Sequence, residues 1–336
     1  MDEAVSRFWP DTILDGACGC PELSNSVDFV TIEAQSERVV IAPELGCQCF
    51  GYRVGSLEII FPPPSVEALR EHPFRSGIPI LFPWPGRVAN GKFDFAGRRI
   101  VIPINERARG HAIHGLTWNC AFRVAKRGPH YALMELDSAS DANLLRIWPY
   151  PFVFEVDYEV GDGLRIKFRV RNSGNSEMPF GFGAHPYFNA PLSKDSSRKS
   201  LTLQVPAAER WPLDLTLIPS GPPQPVAGKF DLRAPRALGS ETYDDVFKLA
   251  PGRDPLAPCA RMTDPAMRLA IEVRADAPFE DFVIFAPPEN PVVAMEPYTC
   301  APDAFNLASR GVESGMRTLA PGATFEAGFE IRVAAP

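Results

Sequence analysis

Phe154-Glu-Val-Asp-Tyr-Glu-Val160, Gly161-Asp-Gly163 and Leu164-Arg-Ile-Lys-Phe-Arg-Val-Arg171 run on without a break, and their pattern decides the fold class. In the first run Phe154, Val156, Tyr158 and Val160 alternate with Glu155, Asp157 and Glu159. In the second, Leu164, Ile166, Phe168 and Val170 alternate with Arg165, Lys167, Arg169 and Arg171. A period of two places one row on a buried face and the other in water, as in a half-exposed antiparallel strand. The glycine-rich Gly161-Asp-Gly163 between them suits a tight hairpin. Pairing the two runs sets an acidic outer row against a basic one, which favours this partnership over others.

The same alternation returns at Met267-Arg-Leu-Ala-Ile-Glu-Val273 and at Phe325-Glu-Ala-Gly-Phe-Glu-Ile-Arg-Val333, with shorter strand-like runs at Leu201 to Val205 and Phe282 to Phe285. Helical periodicity is scarce, and Ser65 to Glu71 supplies about two turns of it. Proline, at 36, and glycine, at 25, suit many short strands joined by turns. The reading is all-β, a large antiparallel β-sandwich with very little helix. The polar stretch from Ala190 to Ser200 and the proline-rich Pro219 to Val226 fit surface loops on one domain better than linkers between two.

Bulk properties exclude several functional classes. With Lys plus Arg at 34 and Asp plus Glu at 41, the net charge of −7 lacks the basic excess expected of a nucleic-acid binder. No run approaches the roughly 18 apolar residues that span a bilayer, and the acidic start Met-Asp-Glu-Ala-Val has no secretory leader character. Seven cysteines, an odd number in a long chain, point to reduced thiols and a cytoplasmic setting. Cys18 and Cys20, with Cys47 and Cys49, form two C-x-C pairs that four-thiolate zinc binding would need, although zinc sites more often space such pairs wider. The competing reading packs Cys47 and Cys49 as small apolar side chains on one face of a strand.

Four polar residues stand in unusual settings. His114 and His185 are two of only five histidines, and each sits beside glycine or proline, where a side chain projects from a turn. Arg87 lies in the turn-rich apolar Phe82-Pro-Trp-Pro-Gly-Arg87, and Glu296 ends the apolar run Val292-Val-Ala-Met-Glu296 before Pro297. Each is either a satisfied structural group or a group placed to do chemistry.

The order of these segments adds to that reading. The stretches Gly77-Ile-Pro-Ile-Leu-Phe-Pro83, Gly86-Arg87-Val-Ala-Asn90-Gly91-Lys-Phe93 and His111-Ala-Ile-His114-Gly115 come first. Ala184-His185-Pro-Tyr-Phe-Asn189, Tyr243-Asp244-Asp245-Val-Phe247 and Glu296-Pro-Tyr-Thr-Cys-Ala-Pro-Asp-Ala-Phe-Asn306 follow. From about residue 28 onward this succession resembles the aldose 1-epimerase (galactose mutarotase) family. The resemblance implies that family's large β-sandwich over 28–336, with residues 1–27 an unassigned extension. It implies His185 as the general acid toward the sugar ring oxygen and Glu296 as the general base on the anomeric hydroxyl. Arg87, His114 and Asp244 are implied to bind sugar hydroxyls, with neighbouring Asp245 competing for the last role. No cofactor and no metal are expected, and the partners expected are a small sugar and, at most, a second copy in a homodimer. Departures are Leu116 after Gly115, Pro186 after His185, and the unmatched first 27 residues. They bear on sugar preference more than on the reaction.

Exchange of anomers needs one proton removed from the C1 hydroxyl and one delivered to the ring oxygen, which a carboxylate and an imidazole supply. The expectation is an ionised Glu296 and a His185 kept protonated by a nearby carboxylate. Trp84, Tyr187 and Phe305 are candidates to pack on the sugar's apolar face or to belong to the core. Rival readings are a hexose 6-phosphate substrate with Arg75 as one phosphate ligand, a non-catalytic sugar-binding module, and a glycoside hydrolase using Asp244 with Glu296.

Overall fold

A computed structural model describes residues 27–254 and 256–335. The expected hairpin is present in the expected register. Strands Phe152–Val160 and Leu164–Asn172 pair antiparallel, with Glu155 opposite Arg169, Asp157 opposite Lys167 and Glu159 opposite Arg165. The turn is held from outside by Glu37, whose carboxylate accepts from the backbone N–H of Gly161 at 3.0 Å and of Gly163 at 2.9 Å. Gly163 has φ 103°, and a Cβ there would lie 2.8 Å from the Ile331 carbonyl oxygen, so only glycine fits.

That hairpin lies inside a nine-stranded antiparallel sheet. Its neighbours are Thr324–Ala334, Leu269–Ala275 and Ala260–Asp264 on one side and Tyr131–Asp137 with Arg123–Arg127 on the other. A second, eight-stranded sheet runs Gln224–Pro225, Ala207–Arg210, Tyr243–Leu249, Asp281–Ala286, Val292–Tyr298, Gly183–Ala184 and Ile80–Leu81, with Tyr187–Asn189 also paired to Val292–Tyr298. The chain therefore forms the antiparallel sandwich expected of it. Helix is confined, among the described residues, to short 3-10 turns and the six-residue Val66–Glu71, Ala142–Ile147 and Ala304–Ser309. The first is capped by Ser65, whose Oγ accepts from the Ala68 N–H at 3.1 Å. None is long and apolar enough to cross a membrane.

The sheets meet through rings. Phe154 stacks on Phe82 with centroids 4.5 Å apart, and Phe168 meets Phe182 at 3.6 Å. Phe154 and Phe168 come from the hairpin, while Phe82 and Phe182 flank the short strands of the opposite sheet.

Two details differ from the sequence reading. The strand expected from Met267 begins at Leu269, because Asp264 Oδ1 accepts from the N–H groups of Ala266 and Met267 and turns the chain there. Cys47 lies not in a strand but in the turn before it, with φ 56°, and the strand Gln48–Val54 carries only Cys49. Both thiols are buried in the apolar core, and burial pushes both up, as suits small packed side chains. Cys18 and Cys20 fall outside the described residues.

Phe154→Ala opens a void at the meeting point of the sheets and is expected to cost about 3–5 kcal/mol, read as a lower denaturation midpoint at unchanged slope.

Candidate active site

The face of the eight-stranded sheet turned away from the core forms the floor of a cleft. Along Tyr243–Leu249 the odd positions Tyr243, Phe247 and Leu249 join the core, which turns Asp244 and Val246 outward. Asp281–Ala286 sends Phe282 and Ile284 inward and Val283 and Phe285 outward, and Val292–Tyr298 sends Val293 and Met295 inward and Glu296 and Tyr298 outward. The register then aligns the outward set, with Asp244 opposite Phe285 and Val283 opposite Glu296.

His185 reaches Glu296 by the same logic. Gly183 lies opposite Tyr298 and Tyr187 opposite Ala294, so His185, midway between them, faces Glu296. The His185 backbone N–H is tied to the Pro79 carbonyl at 3.0 Å, which joins two of the sequence stretches. The Nε2 of His185 stands 3.1 Å from Glu296 Oε1, and the Tyr298 hydroxyl donates to Glu296 Oε2 at 2.7 Å. Tyr187 stacks under the imidazole with centroids 4.3 Å apart, and its hydroxyl lies 3.3 Å from His185 Nε2 while donating to the Phe74 carbonyl.

The opposite wall is built from the other stretches. Arg87 pairs with Ile113 in a two-residue ladder, and the His114 N–H donates to the Gly86 carbonyl at 2.8 Å. His114 holds a left-handed φ of 63°, a conformation a non-glycine residue keeps only under surrounding constraint. Its ring stands edge-on to His185 with centroids 5.4 Å apart. The Asp303 N–H donates to the Arg87 carbonyl at 2.6 Å, and its Oδ1 accepts from Ala89, tying the Glu296 stretch to the Arg87 stretch.

All five sequence-derived residues, Arg87, His114, His185, Asp244 and Glu296, thus line one cleft. Asp245 does not line it: it lies 3.6 Å from Arg210. Of the three aromatic candidates only Tyr187 borders the cleft, since Phe305 stacks on Phe93 at 4.3 Å and Trp84 is buried beside Trp148. Sequence reasoning missed Tyr298 as a partner of Glu296, the apolar walls Phe74, Leu213 and Leu217, and the buried Glu106 behind Arg87. Tyr298 sat within a quoted stretch, but nothing in the sequence marks Glu106.

Burial sets the charges. It lowers His185 to about 3, with Arg87 nearby adding to the effect, and raises Glu296 well above the usual carboxylate range despite the Tyr298 hydrogen bond. Burial also lowers His114 and raises Asp244, the latter opposed by Arg87 and Arg109. The expected protonated His185 beside an ionised Glu296 is therefore not what an empty, desolvated cleft favours. Burial favours a neutral imidazole beside a protonated carboxyl, a pair with one proton between them. Among the described residues no group of three His, Cys, Asp or Glu side chains is arranged to hold a metal.

A family model described as aldose 1-epimerase matches residues 28–332. YihR of Escherichia coli K12, an uncharacterised protein, is 27% identical over 234 residues, covering 68% of this chain and 71% of its own. Mouse galactose mutarotase is 26% identical over 167 residues, which span 47% of this chain and 45% of the mouse protein. A galactose mutarotase-like protein from Clostridium acetobutylicum superposes with a TM-score of 0.84 at 22% identity, covering 94% of this chain and 98% of its own. A galactose 1-epimerase from Lactobacillus acidophilus gives 0.71 at 18% identity, with 94% and 97% covered. At such identities the likeness to the two solved structures is one of fold.

A one-proton pair has a definite signature. From about pH 3 up to 4.5 the unfolded chain holds two protons on these groups and the folded chain one, so stability rises with pH; above 6.5 the unfolded chain holds none while the raised Glu296 still holds one, so stability falls. Relative to a His185→Asn/Glu296→Gln double variant, the wild type should gain stability up to pH 4.5, hold level to 6.5, and lose it above. Its limiting slope is about 1.4 kcal/mol per pH unit. A flat difference between pH 3.5 and 8 contradicts the shared proton, and ring 15N shifts of a neutral imidazole at pH 5 locate it on Glu296.

Proposed function

We propose that this chain, which belongs to the aldose 1-epimerase family, interconverts the α and β anomers of a free, unphosphorylated hexose. The observation that carries this reading is the contact between His185 and Glu296 at 3.1 Å in a cleft otherwise furnished with hydroxyl-binding groups. Glu296 takes the proton of the C1 hydroxyl while His185 delivers one to the ring oxygen. The bond between C1 and the ring oxygen breaks and the aldehyde forms. Rotation about C1–C2 presents the other face, and the reverse transfers close the ring and return both protons. Across the cycle the pair neither gains nor loses a proton, which suits two groups that share one.

Sugar binding has to move that proton from Glu296 to His185. A C1 hydroxyl donating to Glu296 favours the carboxylate, and a ring oxygen accepting from His185 favours the imidazolium. The Tyr298 hydroxyl already supports the carboxylate form from Oε2, while Oε1 faces His185 Nε2. Arg87 offers donors and Asp244 acceptors to the remaining hydroxyls.

The charges of the site favour a neutral sugar. Arg87 and Arg109 are balanced by Glu106 and Asp244. Arg75 and His72 both border the cleft, which is the feature in favour of a hexose 6-phosphate. Burial and then the Arg75 charge push His72 below its ordinary value, so it adds no second cation at neutral pH.

Glu296→Gln and His185→Asn should each slow the equilibration of freshly dissolved α-glucose or α-galactose about 10²–10⁴-fold, followed by polarimetry, with thermal unfolding still cooperative. Near-normal rates in either variant would refute the assigned roles. Acceleration of glucose 6-phosphate but of neither free sugar would transfer the reading to the phosphorylated substrate.

A further inference from the structure

We propose that Glu106, which lies behind the cleft wall and outside its lining, is a positioning residue that aims Arg87 at the sugar; this rests on reading the cleft as a sugar site. The carboxylate of Glu106 grips one edge of the Arg87 guanidinium as a fork. Its Oε2 accepts from Nε at 2.7 Å and its Oε1 from Nη2 at 2.9 Å. Arg109 Nη1 donates to the same Oε1 at 2.8 Å, and Glu106 is 0% exposed. A guanidinium carries five N–H donors in a plane. Nε and Nη2 bind Glu106, neither of these bonds uses Nη1, and Arg87 borders the cleft.

Stability alone gives little reason for this arrangement. A buried ion pair returns little net stability over a well-packed apolar replacement, because both charges must leave water. What the fork does supply is orientation. A long arginine side chain left loose would lose rotamer freedom on meeting a sugar, whereas one already fixed loses none. Glu106 is also rooted in the same segment that sets His114. Asn105 Nδ2 donates to the Ile113 carbonyl at 3.0 Å and its Oδ1 accepts from the Ile113 N–H at 2.7 Å. The Glu106 N–H donates to the His111 carbonyl at 3.0 Å. Two adjacent residues thus hold the Arg87 side chain and the backbone entering His114, fixing one sugar-binding wall as a unit.

Glu106→Gln keeps the shape but turns an acceptor into a donor facing Arg87, and Glu106→Asp keeps the charge on a shorter stem. With the aldose that the wild type equilibrates fastest, Glu106→Gln should raise KM about tenfold while kcat changes less than about threefold, and Glu106→Asp should fall between. In an Arg87→Ala background, adding Glu106→Gln should alter kcat/KM less than about twofold, since the residue acts through Arg87. Without any sugar, the Arg87 Nε–H resonance should exchange slowly in the wild type and broaden in Glu106→Gln. This last readout judges the positioning even if the wild type equilibrates no aldose, an outcome that would count against the proposed function alone. A folded Glu106→Gln protein with unchanged KM would overturn the proposal, as would an undiminished effect in the Arg87→Ala background or an unchanged Nε–H signal. Should Glu106→Gln fail to fold, wild-type KM and an unaltered Nε–H signal in Glu106→Asp would overturn it equally.

Discussion

The cleft depends on the pleat of three neighbouring strands, Tyr243–Leu249, Asp281–Ala286 and Val292–Tyr298. Their side chains alternate between the core and the cleft, and the apolar set Tyr243, Phe247, Phe282, Ile284, Val293 and Met295 decides which parity points which way. A slip of one residue in the last strand would bury Glu296 against the opposite sheet and put Met295 in the cleft. Large apolar side chains thus place the polar ones, and the aromatic contacts between the sheets fix the chemistry at one remove.

Holding ionisable groups in so dry a place is costly, and the structure meets that cost locally. Arg87 is paired with Glu106, Glu296 accepts from Tyr298, and His185 is clamped between Tyr187 and His114. The left-handed backbone at His114 is a second cost, sustained by the hydrogen bond to Gly86 and by Asn105 gripping Ile113. These constraints leave the site nearly assembled before a sugar arrives. In the proposed cycle the step still to be made is a proton transfer, from the carboxyl that burial favours in protonated form onto the imidazole.

Much of this was legible in the sequence, for identifiable reasons. The hairpin at Phe154 to Arg171 could be read because one face is wet, so polarity reports the pleat directly. Arg87, His114, His185 and Glu296 stood out because each sits beside a turn or a proline, whereas Asp244 was implied only by the family resemblance. Where both faces of a strand are buried, alternation of polarity fades, and Asp244 could not be told from Asp245 until register placed one in the cleft and the other beside Arg210. Trp84 and Phe305 were ambiguous because an aromatic ring suits a core and a sugar face equally. Glu106 was invisible because its burial follows from tertiary packing alone. The direction in which burial moves the pair, His185 down and Glu296 up, was equally invisible, because reference pKa values describe groups in water.

The most direct test of the central claim is two-dimensional exchange NMR on galactose and glucose already at anomeric equilibrium, with the unmodified protein added in catalytic amount. Cross-peaks linking the α and β C1 protons, absent without protein and growing with its concentration, are the predicted result. Their absence for both sugars at every concentration would contradict the account of His185 and Glu296 as an acid–base pair acting on a free hexose.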